Sequence, residues 1–334
     1  MNKQRDVTFD FLKSIAIFLV IWGHSMALGP NDVYHNINGR WIVLINMPLF
    51  MFIVGYFSIS SIKRSIREIL CNKWKTLIIP TLIYGITMSL PRLFVYNGLV
   101  ISSLWGGVSR CLIEPYWFIW AIICCLLYYK CFDILFSQYL NMAYLAVISW
   151  AILMLLPHTI ESYLISKVQS LYPFFLTGII FRKFRLFEKI SPYSLSSVFL
   201  SIVILGMLYI VFKPNQYFYN FQYMDTTVWL LSYFMMLLAG LAGIIICFFI
   251  SKKLSHLKNS SIFWLNEIGQ FTLAIYLEQT VVFSFLNYTG AKLSNDLEVF
   301  ILAVMIYLCL SFLTKIISQN KSLSKILLGK IKTE

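Results

Sequence analysis

The feature that most constrains this chain is a series of long apolar runs, separated by short polar segments rich in lysine and arginine. A helix rises 1.5 Å per residue, so crossing a hydrocarbon core of ~30 Å takes about 20 mostly apolar residues. By that measure ten spans are expected, at 9–28, 41–59, 77–96, 116–136, 140–157, 164–181, 194–212, 226–250, 268–286 and 298–317. Hydrocarbon offers no water to backbone N–H and C=O groups, so each span must be helical. The runs are continuous, whereas barrel strands alternate apolar and polar residues, which excludes a transmembrane β-barrel. The expected fold is therefore all-α. It is a polytopic transmembrane helix bundle in the lipid bilayer, forming one membrane-embedded domain over residues 1–334. Composition agrees: 59% of residues are hydrophobic and 12% charged, against roughly 45–50% and about 25% in a soluble domain.

The net charge of +13 does not indicate a nucleic-acid partner, because the cations lie in the short segments between spans. With a cytoplasmic N-terminus, the inner segments hold twenty of the 27 lysines and arginines. The outer segments hold six (Arg40, Arg92, Arg110, Lys167, Lys213 and Lys292), and Lys13 lies within the first span. That asymmetry follows the positive-inside rule and predicts both termini in the cytoplasm. The seven cysteines show neither metal-ligand nor disulfide spacing, so no metal is expected. Ser25-Met26-Ala27 has a small-x-small form, but the preceding run contains Lys13 and follows Asp6 and Asp10, so it is not read as a cleaved signal peptide. There is no internal repeat, no low-complexity tract and no linker to a soluble domain. No small-xxx-small face marks an oligomer contact, so the oligomeric state stays open.

Ionisable groups inside apolar helices cost about 2.5–3.5 kcal/mol each on insertion scales, so they need a partner or a purpose. In the first span, Asp10 and Lys13 are three residues apart on one helix face and can pair. His24 lies eleven residues beyond Lys13. That is roughly 16 Å further along and within about 20° of the same face. Lys13 snorkelling to the interface, with His24 packed at the opposite end, explains the alignment equally well.

The first span, with Asp10, Lys13 and His24, resembles the opening motif of the acyltransferase-3 family of membrane acyltransferases. Further segments are similar to that family's landmarks in order. They are Asn46-Met-Pro48-Leu-Phe-Met-Phe-Ile-Val-Gly55-Tyr56, the basic loop Lys73-Trp-Lys75-Thr-Leu-Ile-Ile-Pro80, Pro115-Tyr-Trp117-Phe118, and Ile268-Gly269-Gln-Phe-Thr-Leu-Ala-Ile-Tyr276-Leu. Together they cover residues 5 to about 280. The chain departs from the family pattern in using Lys13, Lys73 and Lys75 where arginine is commoner. It also has Glu278-Gln279 where a histidine often stands. No soluble hydrolase-like domain follows, as in some long members.

The resemblance implies transfer of an acyl group, usually acetyl from acetyl-CoA as co-substrate, to a hydroxyl of a glycan or lipid-linked sugar. Its bacterial members imply the inner membrane. Cofactor-binding candidates are Lys13 and Asp10 together with Arg64, Arg67, Lys73 and Lys75 of the basic loop 60–76, whose charge suits the phosphates of the donor. Stop-transfer charge against lipid headgroups is the alternative reading of that loop. His24 is the candidate general base, since an imidazole titrates near neutral pH. Glu278, Glu114 and Glu161 are the candidates for a group that orients it, and pairing with Arg92 or Arg110 is an equal alternative. Trp117 and Tyr116 are candidates for stacking on the acceptor sugar. The rival function is a polytopic carrier or flippase for a glycolipid or small solute. A glycan polymerase is disfavoured by outer loops of about 20 residues or fewer.

Overall fold

The computed structural model describes residues 6–31, 33, 35–95, 112–156, 163–211, 226–257 and 260–329. Among them there is no strand. The helices are α1 Val7–Ser25, α2 Ile37–Ile62, α3 Ile66–Lys73, α4 Ile79–Val95, α5 Trp117–Phe136, α6 Met142–Met154, α7 Tyr163–Phe184 and the short α8 Leu186–Ile190. They continue with α9 Ser194–Val211, α10 Thr226–Ser255, α11 Ser260–Ile268, α12 Thr272–Tyr288, α13 Asp296–Gln319 and α14 Lys321–Leu327. Glu161, Arg110, Lys213 and the ends of several expected spans lie outside the described residues.

Short polar side chains set where these helices begin. Asp6 caps α1, accepting from the Phe9 N–H, and Asn36, Asn141, Asn295 and Asn320 cap α2, α6, α13 and α14 in the same way. A side-chain oxygen there satisfies an N–H that the helix itself leaves unpaired.

Among the described residues, seven helical segments are long and apolar enough to cross a membrane: Val7–Leu28, Asn38–Ile62, Trp117–Phe136, Leu164–Phe184, Leu186–Val211, Leu230–Ser255 and Asp296–Gln319. The chain is an integral membrane protein with an all-α bundle. The three remaining expected spans fall on shorter helices: α4 and α12, of 17 residues each, and α6, of 13. The basic segment 60–76, expected as a loop, is in large part helical. Ser65 and Glu68 form a reciprocal capping box that starts α3, and Ile69 buries its inner face. A π-helical turn, Trp74–Ile78, then runs directly into α4. The local cap wins over the charge pattern that suggested an open loop.

Helix α1 is the centre of the bundle, touching α2, α10, α11, α12 and α13. The most extensive pairing is α2 with α7. Two glycines permit it. A Cβ on Gly55 would fall 2.0 Å from the Phe175 carbonyl oxygen, and one on Gly178 would fall 2.2 Å from that of Phe52. The backbones meet where side chains would hold them apart, as small residues allow in lipid.

Candidate active site

The sequence landmarks converge on α1. The turn between α11 and α12 is seated on Asp10: a Cβ on Gly269 would fall 2.0 Å from the Asp10 carbonyl oxygen. At the other end of α1, a Cβ on Gly23 would lie 3.5 Å from the Asn46 side-chain amide of α2. Phe118 of α5 meets Tyr276 of α12 with ring centroids 5.9 Å apart. Segments up to about 260 residues apart in sequence thus pack against α1, and α5 packs against α12 beside it.

Lys13 Nζ lies 3.5 Å from Asp10 Oδ1, and the same ammonium sits 4.8 Å from the centroid of the Phe57 ring. Asp10 is buried, at 3% exposure. The pair joins the start of α1 to the end of α2. Further along α1, His24 is exposed, while Ser25, Met26 and Leu28 beyond it are buried. One face of the imidazole is covered by Phe283 of α12, at 5.6 Å between centroids. Among the described residues neither ring nitrogen has a hydrogen-bond partner, so both are available to a ligand.

Glu278 does not orient His24 in this structure. Tyr84 of α4 donates to its Oε1 at 3.0 Å, and Thr314 of α13 donates to its Oε2 at 2.9 Å. The carboxyl is a clamp that ties α4, α12 and α13 together and is buried at 4% exposure. Glu114 is exposed, at the edge of the described residues before α5. Tyr116 is fully buried, at 0% exposure, so no face of its ring is open to a sugar here. Trp117 is half-buried, and its ring already carries the Lys167 ammonium, 5.4 Å from the centroid. Of the basic segment, Arg64, Arg67 and Lys75 are exposed and Lys73 is half-buried.

Two features take their meaning only from the structure. Gln279 is fully buried, and neither its amide nitrogen nor its oxygen has a partner among the described residues. Leaving such a group unpaired costs roughly 1–3 kcal/mol. It is one helical turn below Phe283 on the same face of α12, since residues four apart are neighbours on a helix. Only the apposition of α12 to α1 gives this meaning. The second is a basic cavity at the ends of α2, α5 and α7, lined by Lys63, Lys130, Arg182, Lys183 and Arg185. In sequence these cations read only as topology signals, because their convergence depends on where three helices stop.

The sequence profile described as "acyltransferase domain", that of the acyltransferase-3 family, matches residues 6–318. The chain belongs to the acyltransferase-3 family. Its relatives include the nodulation protein NolL of Sinorhizobium fredii (strain NBRC 101917 / NGR234), 33% identical over 191 residues, which are 53% of this chain and 49% of that protein. The nodulation protein NolL of Mesorhizobium japonicum (strain LMG 29417 / CECT 9101 / MAFF 303099) is 30% identical over 129 residues, 36% of this chain and 34% of that protein. The chain thus spans about half the length, or less, of these curated relatives. No solved structure matches it. Membership extends the sequence resemblance across nearly the whole described bundle, from the Asp6 cap to the end of α13.

Proposed function

We propose that this protein is a membrane O-acyltransferase that moves an acetyl group from acetyl-CoA to a hydroxyl of a glycan or lipid-linked sugar. The observation that carries the reading is His24, with neither ring nitrogen paired among the described residues and one face against Phe283, inside a family of acyltransferases. Donor phosphates sit on the basic segment of Arg64, Arg67, Lys73 and Lys75. Lys13, held by Asp10, receives the donor at the inner end of α1. The pantetheine arm runs the roughly 16 Å from Lys13 to His24.

Chemistry follows from that placement. The acceptor hydroxyl oxygen attacks the thioester carbonyl carbon while His24 takes its proton. A C–O bond forms, the C–S bond breaks, and the imidazolium returns the proton to the departing thiolate sulfur. In a variant, the imidazole nitrogen is itself acylated and then hands the acetyl to the acceptor. The unpaired Gln279 amide lies on the same side of α12 as the ring that covers His24, and supports a polar ligand passing there. Ten spans with both termini in the cytoplasm, in a bacterial inner membrane, complete the reading. The bacterial relatives and the charge asymmetry support it.

The test uses membrane vesicles containing the protein, radiolabelled acetyl-CoA, and label entering the glycolipid or polysaccharide fraction. His24→Ala is expected to lower transfer at least 100-fold, with acetyl-CoA binding by calorimetry retained. Near-normal transfer removes His24 as the base. Absence of acetyl-CoA binding by the folded wild type moves the assignment to a carrier.

A further inference from the structure

We infer that the cavity at the ends of α2, α5 and α7 is a binding site for the headgroup of an anionic phospholipid, separate from the path of the acyl donor. Its volume is about 1070 Å³. Five cations line it, Lys63, Lys130, Arg182, Lys183 and Arg185, against two carboxylates, Asp133 and Glu188. Both carboxylates are already engaged: Lys130 Nζ lies 3.0 Å from Asp133 Oδ2, and Arg185 lies 3.9 Å from Glu188. Lys130 also donates to the Ile62 carbonyl at 2.6 Å, which fixes it to the end of α2. Arg182 donates to Tyr56 Oη at 3.1 Å and has no acid partner among the described residues. Lys63 and Lys183 likewise have none. Three uncompensated cations therefore face one cavity, and such a set selects an anion.

The surroundings decide which anion. The last turn of α5 and the turn after it present Ile134, Leu135, Phe136 and Tyr139 outward, interleaved in sequence with the lining residues Asp133, Ser137 and Leu140, and α6 adds Tyr144; Leu135 is 59% exposed and Tyr139 76%. A soluble anion has no use for such a rim, whereas acyl chains lie against it while the phosphate reaches Lys63 and Lys183. Basic pockets between helix ends favour acidic lipid in this way. The donor is separated from the cavity by an aromatic wall. Tyr56 lines the cavity on one side, and on the other its ring stacks on Phe9 of α1 at 4.1 Å. Among the described residues α1, which carries Lys13 and His24, contributes nothing to the lining.

The experiment titrates the detergent-purified full chain with short-chain phosphatidylglycerol and, separately, phosphatidylcholine, counting retained lipid by native mass spectrometry. A third arm adds adenosine 3′,5′-bisphosphate as the probe for a nucleotide. Phosphatidylglycerol is expected to be retained over phosphatidylcholine, with the preference falling as salt rises. Lys63→Gln and Lys183→Gln are each expected to lower that preference about fivefold. Equal retention of the two lipids by the wild type overturns the proposal without reliance on any variant. So does an unchanged preference in the double variant. Displacement of phosphatidylglycerol by the bisphosphate overturns it in favour of a donor site.

Discussion

Lys73 differs from the other cations of its segment because α3 turns it partly inward. Burial, and secondarily the Arg64 charge, hold its ammonium below the usual lysine range. A lysine whose pKa is lowered is charged below that value and loses its charge as pH rises through it. If Lys73 holds a donor phosphate, acetyl-CoA affinity measured upward from pH 7.5 should begin to fall before the ordinary lysine value of about 10.4. Lys73→Arg, always charged, should flatten that profile, and a profile identical to wild type would exclude Lys73 from the donor site. At this scale the sequence was legible where a single helix carries the relation. The Asp10–Lys13 pair and the register of His24 follow from 3.6 residues per turn, and the structure shows the first as a contact. Glu278 was legible as an intramembrane acid, but its partners Tyr84 and Thr314 come from two other helices. No spacing along α12 could have named them.

Among the elements, the decisive contacts are made by glycines. Gly269→Ala would drive a methyl group into the Asp10 carbonyl, and should lower stability by about 1–3 kcal/mol, read as a fall in Tm in detergent. Gly206 in α9 is its control, with nothing within 4 Å of an added Cβ. Gly206→Ala should leave Tm unchanged or raise it, since alanine is up to about 1 kcal/mol better in a helix. Equal effects at the two sites would mean that the α11–α12 turn does not rest on α1. The apolar runs announced the long helices because hydropathy and length suffice in lipid. They did not announce α3. Its capping box, Ser65 with Glu68, was present in the sequence but lay within a charge cluster that drew attention to topology. The short α6 is the reverse case: its run is apolar over more residues than its helix occupies.

For the whole molecule, one observation tests the orientation and the position of the basic face together. Cys71 is exposed on α3, among the cations expected in the cytoplasm. In a variant whose other cysteines are replaced, a membrane-impermeant maleimide should label Cys71 only after cells are permeabilised. Labelling of intact cells would invert the topology and move the donor segment to the wrong side of the membrane. The bundle's plan also bears on how the protein is made. Its central helix leaves the ribosome ahead of its neighbours, and apart from α2 those neighbours, α10, α11, α12 and α13, follow only after α3 to α9. At about 5–20 residues per second, the stretch of roughly 250 residues between α1 and α12 takes about 12–50 s to emerge. Through that interval Asp10 lacks the cover that the α11–α12 turn later brings to it. A chain stopped before Gly269 would leave the Asp10 backbone uncovered on that side.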